Sequence, residues 1–166
     1  MSFENTNIVI IGAAGGIGSA LARMLQQRGA RLLLIGRDAV RLGVLGQELG
    51  MPAKALDASR VADLEQAITE PITGIVNCAG SILLKPAHLT SESEWQQTIE
   101  TNLTTAYATV RAGAKALMST GGSIVLCATA AARTGMANHE AIAAAKGGVI
   151  GLTLSAAATT RQETFA

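Results

Sequence analysis

At 166 residues, 49% hydrophobic and 15% charged, the chain is long enough for one domain with a proper core and too apolar to be disordered. A net charge of +1 without a basic stripe gives nucleic acid binding no electrostatic support. Cys78 and Cys127 form no metal motif, and the polar start Met-Ser-Phe-Glu-Asn-Thr-Asn lacks a signal-peptide pattern. Both cysteines fall in or beside strand-like runs. The expectation is therefore a cytoplasmic protein with buried thiols rather than a disulfide, and with no bound metal.

The first element is an apolar strand, Asn7–Ile11, which runs into Gly12-Ala-Ala-Gly-Gly-Ile-Gly18 and then a helix over Gly16–Arg28. A turn this tight calls for residues without Cβ, and the free N–H groups and dipole of the following helix favour a phosphate. Gly12, Gly15, Gly16, Ile17 and Gly18 are thus candidates for holding the pyrophosphate of a nucleotide. The competing reading is an ordinary strand-to-helix turn. A second strand, Arg31–Ile35, leads through Gly36-Arg37-Asp38 into a helix over Asp38–Leu49.

A third strand, Pro52–Leu56, ends at Asp57, whose carboxylate could accept from an adenine amino group or simply cap the next helix, Arg60–Thr69. The fourth strand, Gly74–Asn77, opens into Asn77-Cys-Ala79-Gly80, where small residues let the backbone approach a ligand. A long helical stretch, Ser91–Met118, in one piece or two, carries Asn102 at its middle. Asparagine is locally unfavourable there and needs a reason. The fifth strand, Ser123–Ala128, precedes Thr129, and the last helix, His139–Thr159, carries Lys146 among alanines.

A lysine in such a place is usually paired or functional. Ala141–Thr159 reads as a buried helix rather than a membrane span, because Lys146 and two adjacent glycines interrupt it. The alternation of short apolar strands with helices predicts an α/β fold, a doubly wound parallel sheet with helices on both faces. It occupies residues 1–158 and leaves a polar tail at 159–166.

In order and spacing, the glycine turn, Asp57, Asn77-Cys-Ala-Gly80, Asn102, Gly122-Ser-Ile-Val and Lys146-Gly-Gly-Val-Ile-Gly-Leu-Thr resemble the short-chain dehydrogenase/reductase family. The resemblance implies a Rossmann-type sheet of five strands in the order 3-2-1-4-5. It implies NAD(H) or NADP(H) in a cleft at the strands' C-terminal ends, and hydride transfer to or from a small carbonyl or alcohol. It implies a homo-oligomer formed through the helices at 91–118 and 139–159. Asn102 would hold a water of the proton relay, Thr129 stands where the family has a serine, and Lys146 would bind the nicotinamide ribose.

The family's tyrosine position is held by Ile142, which has no proton to give; the chain's one tyrosine, Tyr107, lies in another helix. His139 is a possible substitute acid; its competing reading is a polar residue of the first helical turn, with Asn138 as N-cap. At the end of the second strand, Gly36 stands where an acidic residue would select NAD, and Arg37 could pair with a 2′-phosphate, which favours NADP(H). Asp38 could instead compete for Arg37 or cap the second helix. Family members continue beyond this length, so the resemblance also implies a C-terminally shortened chain whose fifth strand is an exposed, association-prone edge.

Overall fold

The computed structural model describes residues 2–163. Five strands form one parallel sheet: β1 (Asn7–Ile11), β2 (Arg31–Gly36), β3 (Ala53–Ala55), β4 (Gly74–Asn77) and β5 (Ser123–Leu126). Their order is β3-β2-β1-β4-β5, as the resemblance implied. The helices are α1 (Gly16–Gln27), α2 (Ala39–Leu49), α3 (Val61–Ala67), α4 (Glu92–Ile99), α5 (Thr105–Leu117), α6 (Ala131–Thr134) and α7 (Glu140–Glu163).

Strand alternation splits the core into two layers. Ile8 and Ile10 of β1, with Leu32 and Leu34 of β2, pack against Leu25 of α1 and Leu42 and Leu45 of α2. Val9, Ile11, Ile35 and Ile75 face the other way, toward Leu64 of α3 and Ala108 and Ala112 of α5. With both faces covered, β1 is apolar at four successive positions instead of alternating. Truncating a side chain such as Ile10, which has no exposed surface, costs about 2–5 kcal/mol in sites of this kind.

The sequence placed each strand and each long helix within a few residues. β3 and β5 are shorter than expected, and α3 covers seven residues rather than Arg60–Thr69. The short α6 and a 3-10 turn at Ala87–Leu89 have no periodicity to announce them and were not expected. The stretch from α4 to α5 is continuous, joined by a π turn over Glu100–Thr104.

The helix α7 departs from expectation in two ways. It runs to Glu163, past the expected end at 159, because nothing after Gly151 is a glycine or proline that would stop it. Residues 164–166 of the expected tail lie outside the described residues. Up to Thr159 the buried residues of α7 are Ala141, Ile142, Ala145, Lys146 and Val149, all in the first half, whereas Leu154 is 68% exposed. By length and composition Glu140–Thr159, at mean hydropathy 1.5, is apolar enough to cross a membrane; here its first half packs on α4, α5 and α6.

Candidate active site

The glycine turn is held by the chain's own backbone. Gly12 has φ of +74°, and a Cβ there would lie 2.6 Å from the backbone nitrogen of Ala79. A Cβ on Gly18 would collide with the carbonyl oxygen of Gly12. The loop after β4 and the start of α1 therefore both close on Gly12. The first hydrogen bond of α1 runs from Ser19 N to Gly15 O at 2.9 Å, so the N–H groups of Gly16, Ile17 and Gly18 lie ahead of it. Gly15 is the N-cap and supplies no side chain to satisfy them.

A cleft of about 410 Å³ begins at this turn. It passes Arg37, Asp38 and Arg41, then Asp57 and Ser59, and reaches Cys78, Ala79 and Gly80. Asp38 caps α2, its carboxylate accepting from Arg41 N at 3.0 Å. That settles its role against competition for Arg37, which makes no ion pair among the described residues. Asp57 does not cap α3, whose N-cap is Arg60. Its Oδ1 accepts from Ser59 N at 3.0 Å, and this bond, ahead of the charges of Arg37 and Arg60, holds its carboxyl below the usual range against the opposing effect of burial. A cavity of similar size, about 430 Å³, lies beneath the N-terminal ends of β1 and β2 and contains none of the candidate residues.

At the far end of the cleft several candidates meet. A Cβ on Gly80 would lie 3.0 Å from Asn102 Oδ1 and 3.8 Å from Lys146 Nζ, so α7 and the π turn converge on the loop after β4. Asn102 is 1% exposed and fully engaged: its Oδ1 accepts from Ser81 N at 3.2 Å, and its Nδ2 donates to Ser81 Oγ and to Thr98 O. The wider π turn is what gives this mid-helix asparagine its place. Ser81, which sequence reasoning missed, carries no motif of its own.

Burial lowers the pKa of Lys146 below the usual lysine value; the thiols of Cys127 and Cys78 act the other way. Asn77 is 3% exposed and faces α5, its Nδ2 donating to Thr109 Oγ1 at 2.9 Å and its Oδ1 accepting from Ala79 N at 2.8 Å. It braces the turn, and Cys78, Ala79 and Gly80 line the cleft in its stead.

Thr129 lies two residues before α6, its hydroxyl accepting from Ala131 N at 3.3 Å and keeping its proton to donate. Ile142 is 5% exposed, and Tyr107 is 48% exposed on α5. Asn138 is not the N-cap of α7. It has φ of +63°, and its carbonyl accepts from Lys85 N, so His139 takes the boundary position and its carbonyl accepts from Ala143 N. His139 Nδ1 lies 2.7 Å from Ala137 O. A carbonyl only accepts, so Nδ1 carries the proton and Nε2 is left for another partner.

Comparison with known proteins decides the family. The family model described as short chain dehydrogenase matches residues 6–164. The chain belongs to the short-chain dehydrogenase family. It is 32% identical to the D-threitol dehydrogenase of Mycolicibacterium smegmatis over 156 residues, 87% of this chain and 60% of that protein. It is 31% identical to the 3-oxoacyl-(acyl-carrier-protein) reductase of Vibrio cholerae, over 95% of this chain and 68% of that one. The solved structure of a short-chain type dehydrogenase/reductase from Mycobacterium ulcerans superimposes with a TM-score of 0.92, at 22% identity, over 98% of this chain and 65% of that one. The shared fold is therefore close, and the chain spans about two thirds of that structure.

The family's cofactor is a nicotinamide dinucleotide, and the residues present suit one. The glycine cradle has no room for a Cβ at Gly12 or Gly18, three N–H groups stand ahead of the first helical bond, and Arg37, in no ion pair among the described residues, lines the cleft.

Proposed function

We propose that this short-chain dehydrogenase is an NADP(H)-dependent oxidoreductase acting on a small carbonyl or alcohol, with slow turnover. The observation that carries the reading is the convergence of Asn102 and Lys146 on Gly80, at the end of a cleft that begins in a phosphate-type glycine turn. Gly12, Gly15, Gly16, Ile17 and Gly18 would hold the pyrophosphate, Asp57 the adenine, and Ala79 and Gly80, braced by Asn77, the nicotinamide side. Arg37, which lines the cleft and makes no ion pair among the described residues, supports the 2′-phosphate of NADP(H) over NAD(H).

When bound, the dinucleotide supplies or takes up hydride at its nicotinamide. Lys146 would present its ammonium to the ribose hydroxyls. Thr129 would donate its hydroxyl proton to the substrate oxygen. Asn102 would act by fixing the loop at Ser81. Ile142 moves no proton, and loss of a general acid costs roughly 10²–10⁴-fold in rate. His139, three residues before Ile142 in sequence, is the candidate to replace it: with Nδ1–H donated to Ala137 O, its Nε2 would exchange the proton. A second reading, a dinucleotide-binding protein or dimerisation module without turnover, is favoured by the burial of Ile142 at the place of the acid. The same proposal includes a cytoplasmic homo-oligomer assembled through residues 91–118 and 139–159.

Turnover of NADPH on a carbonyl panel by the wild type, His139→Ala and Ile142→Tyr separates the readings. Slow wild-type turnover lost in His139→Ala supports the first; NADPH binding with no turnover in the wild type supports the second. A gain in Ile142→Tyr marks a site otherwise assembled, and no NADPH binding by any variant sinks both dinucleotide readings.

A further inference from the structure

Cys78 and Cys127 are the chain's two cysteines, and the fold brings them together. β4 and β5 pair in parallel with Asn77 opposite Leu126, and the cysteines are the next residue on each. Neighbouring strands lie about 4.8 Å apart, within the roughly 4.4–6.8 Å of Cα separation that a disulfide spans. The Cys127 sulfur lies near enough to the Cys78 thiol to raise its pKa. Both are free and half-buried, and Cys78 lines the dinucleotide cleft. The hydride-transfer reading gives neither sulfur a role.

We propose that Cys78 and Cys127 form a dithiol site on the wall of the cleft that a peroxide oxidises to an intrachain disulfide. Burial and the neighbouring sulfur push the Cys78 thiol up to about 11. One of the two sulfurs, as thiolate, attacks one peroxide oxygen; an S–O bond forms, the O–O bond breaks, and the leaving hydroxide departs as water with that thiol's proton. The other cysteine then attacks the sulfenic sulfur; the S–S bond forms, the S–O bond breaks, and a second water leaves with its proton. The two sulfurs together give up two electrons, and the peroxide is reduced to water. The paired thiol captures the sulfenic acid before further oxidation, which makes the modification reversible by a thiol reductant.

The test uses the whole chain, reduced, freed of reductant and treated with hydrogen peroxide while folded. It is then unfolded, alkylated and weighed. The expected product has lost two hydrogen masses, takes up no alkyl group, runs as a monomer without reductant, and regains both alkylation sites after dithiothreitol. Cys127→Ser, treated alike, forms no intrachain bond. Two alkylated cysteines after peroxide treatment of the wild type, or a bond formed only between chains, would overturn the proposal. None of these readouts depends on cofactor binding.

Discussion

Gly12 and Gly16 look alike in the sequence, yet the structure gives them opposite tolerances. Gly12→Ala places a Cβ against the Ala79 backbone at positive φ, so it costs more than the 1–2 kcal/mol of the left-handed conformation alone and lowers the melting temperature by several degrees. Gly16→Ala meets nothing within 4 Å in the first turn of α1, where alanine is the better helix former, and leaves the melting temperature unchanged or higher. Thermal denaturation of the two variants checks the contrast. Residue types near the cleft were legible because phosphate chemistry restricts them. Side-chain roles were less so: whether Asp38 caps a helix, Asp57 closes a turn or Asn138 bends into positive φ depends on neighbours that a linear reading does not place.

At the scale of elements, Lys85 pins the far end of the loop after β4 to two of the helices that complete the site. Lys85 donates its backbone N–H to Asn138 O just before α7, and its ammonium pairs with Glu94 of α4 at 2.8 Å. Glu94 also closes the capping box with Ser91. The Lys85 hydrogen bond, followed by those from Ser91, holds the Glu94 carboxyl down to about 2. A depressed carboxyl stabilises the folded chain above its unfolded pKa, and that contribution is lost as pH falls through the folded value. Wild-type stability should therefore fall between about pH 4.5 and 2, and Glu94→Gln should flatten that part of the profile in denaturant titrations. Asn102→Leu removes the link between the π turn and Ser81 and strands buried polar groups; a loss of about 1–3 kcal/mol is expected in the same measurement. The sequence marked Asn102 as out of place in a helix, but a π turn has no pattern of its own, so its form was not legible.

Across the whole molecule, strand order and the two-layer core follow from alternating apolar runs and helices, and these were readable. How far each surface is covered was not, because burial depends on what packs above it. The stretch of α7 after Gly151 is the example: it carries Leu152 and Leu154 among alanines, yet Leu154 is 68% exposed. β5 has β4 as its one strand neighbour among the described residues, and Val125 on it is 48% exposed. Such an edge pairs with other chains unless charge blocks it. Val125→Lys should lower the mass measured by light scattering at high protein concentration relative to wild type, while the melting temperature stays close. The most direct test of the central claim, a dinucleotide site selective for NADP(H), is calorimetric titration of the 166-residue chain with NADPH and NADH. Saturable binding of NADPH at least about tenfold tighter than NADH, with the preference lost in Arg37→Ala, is the predicted result. No binding of either dinucleotide, or a similar preference for NADH, would contradict it.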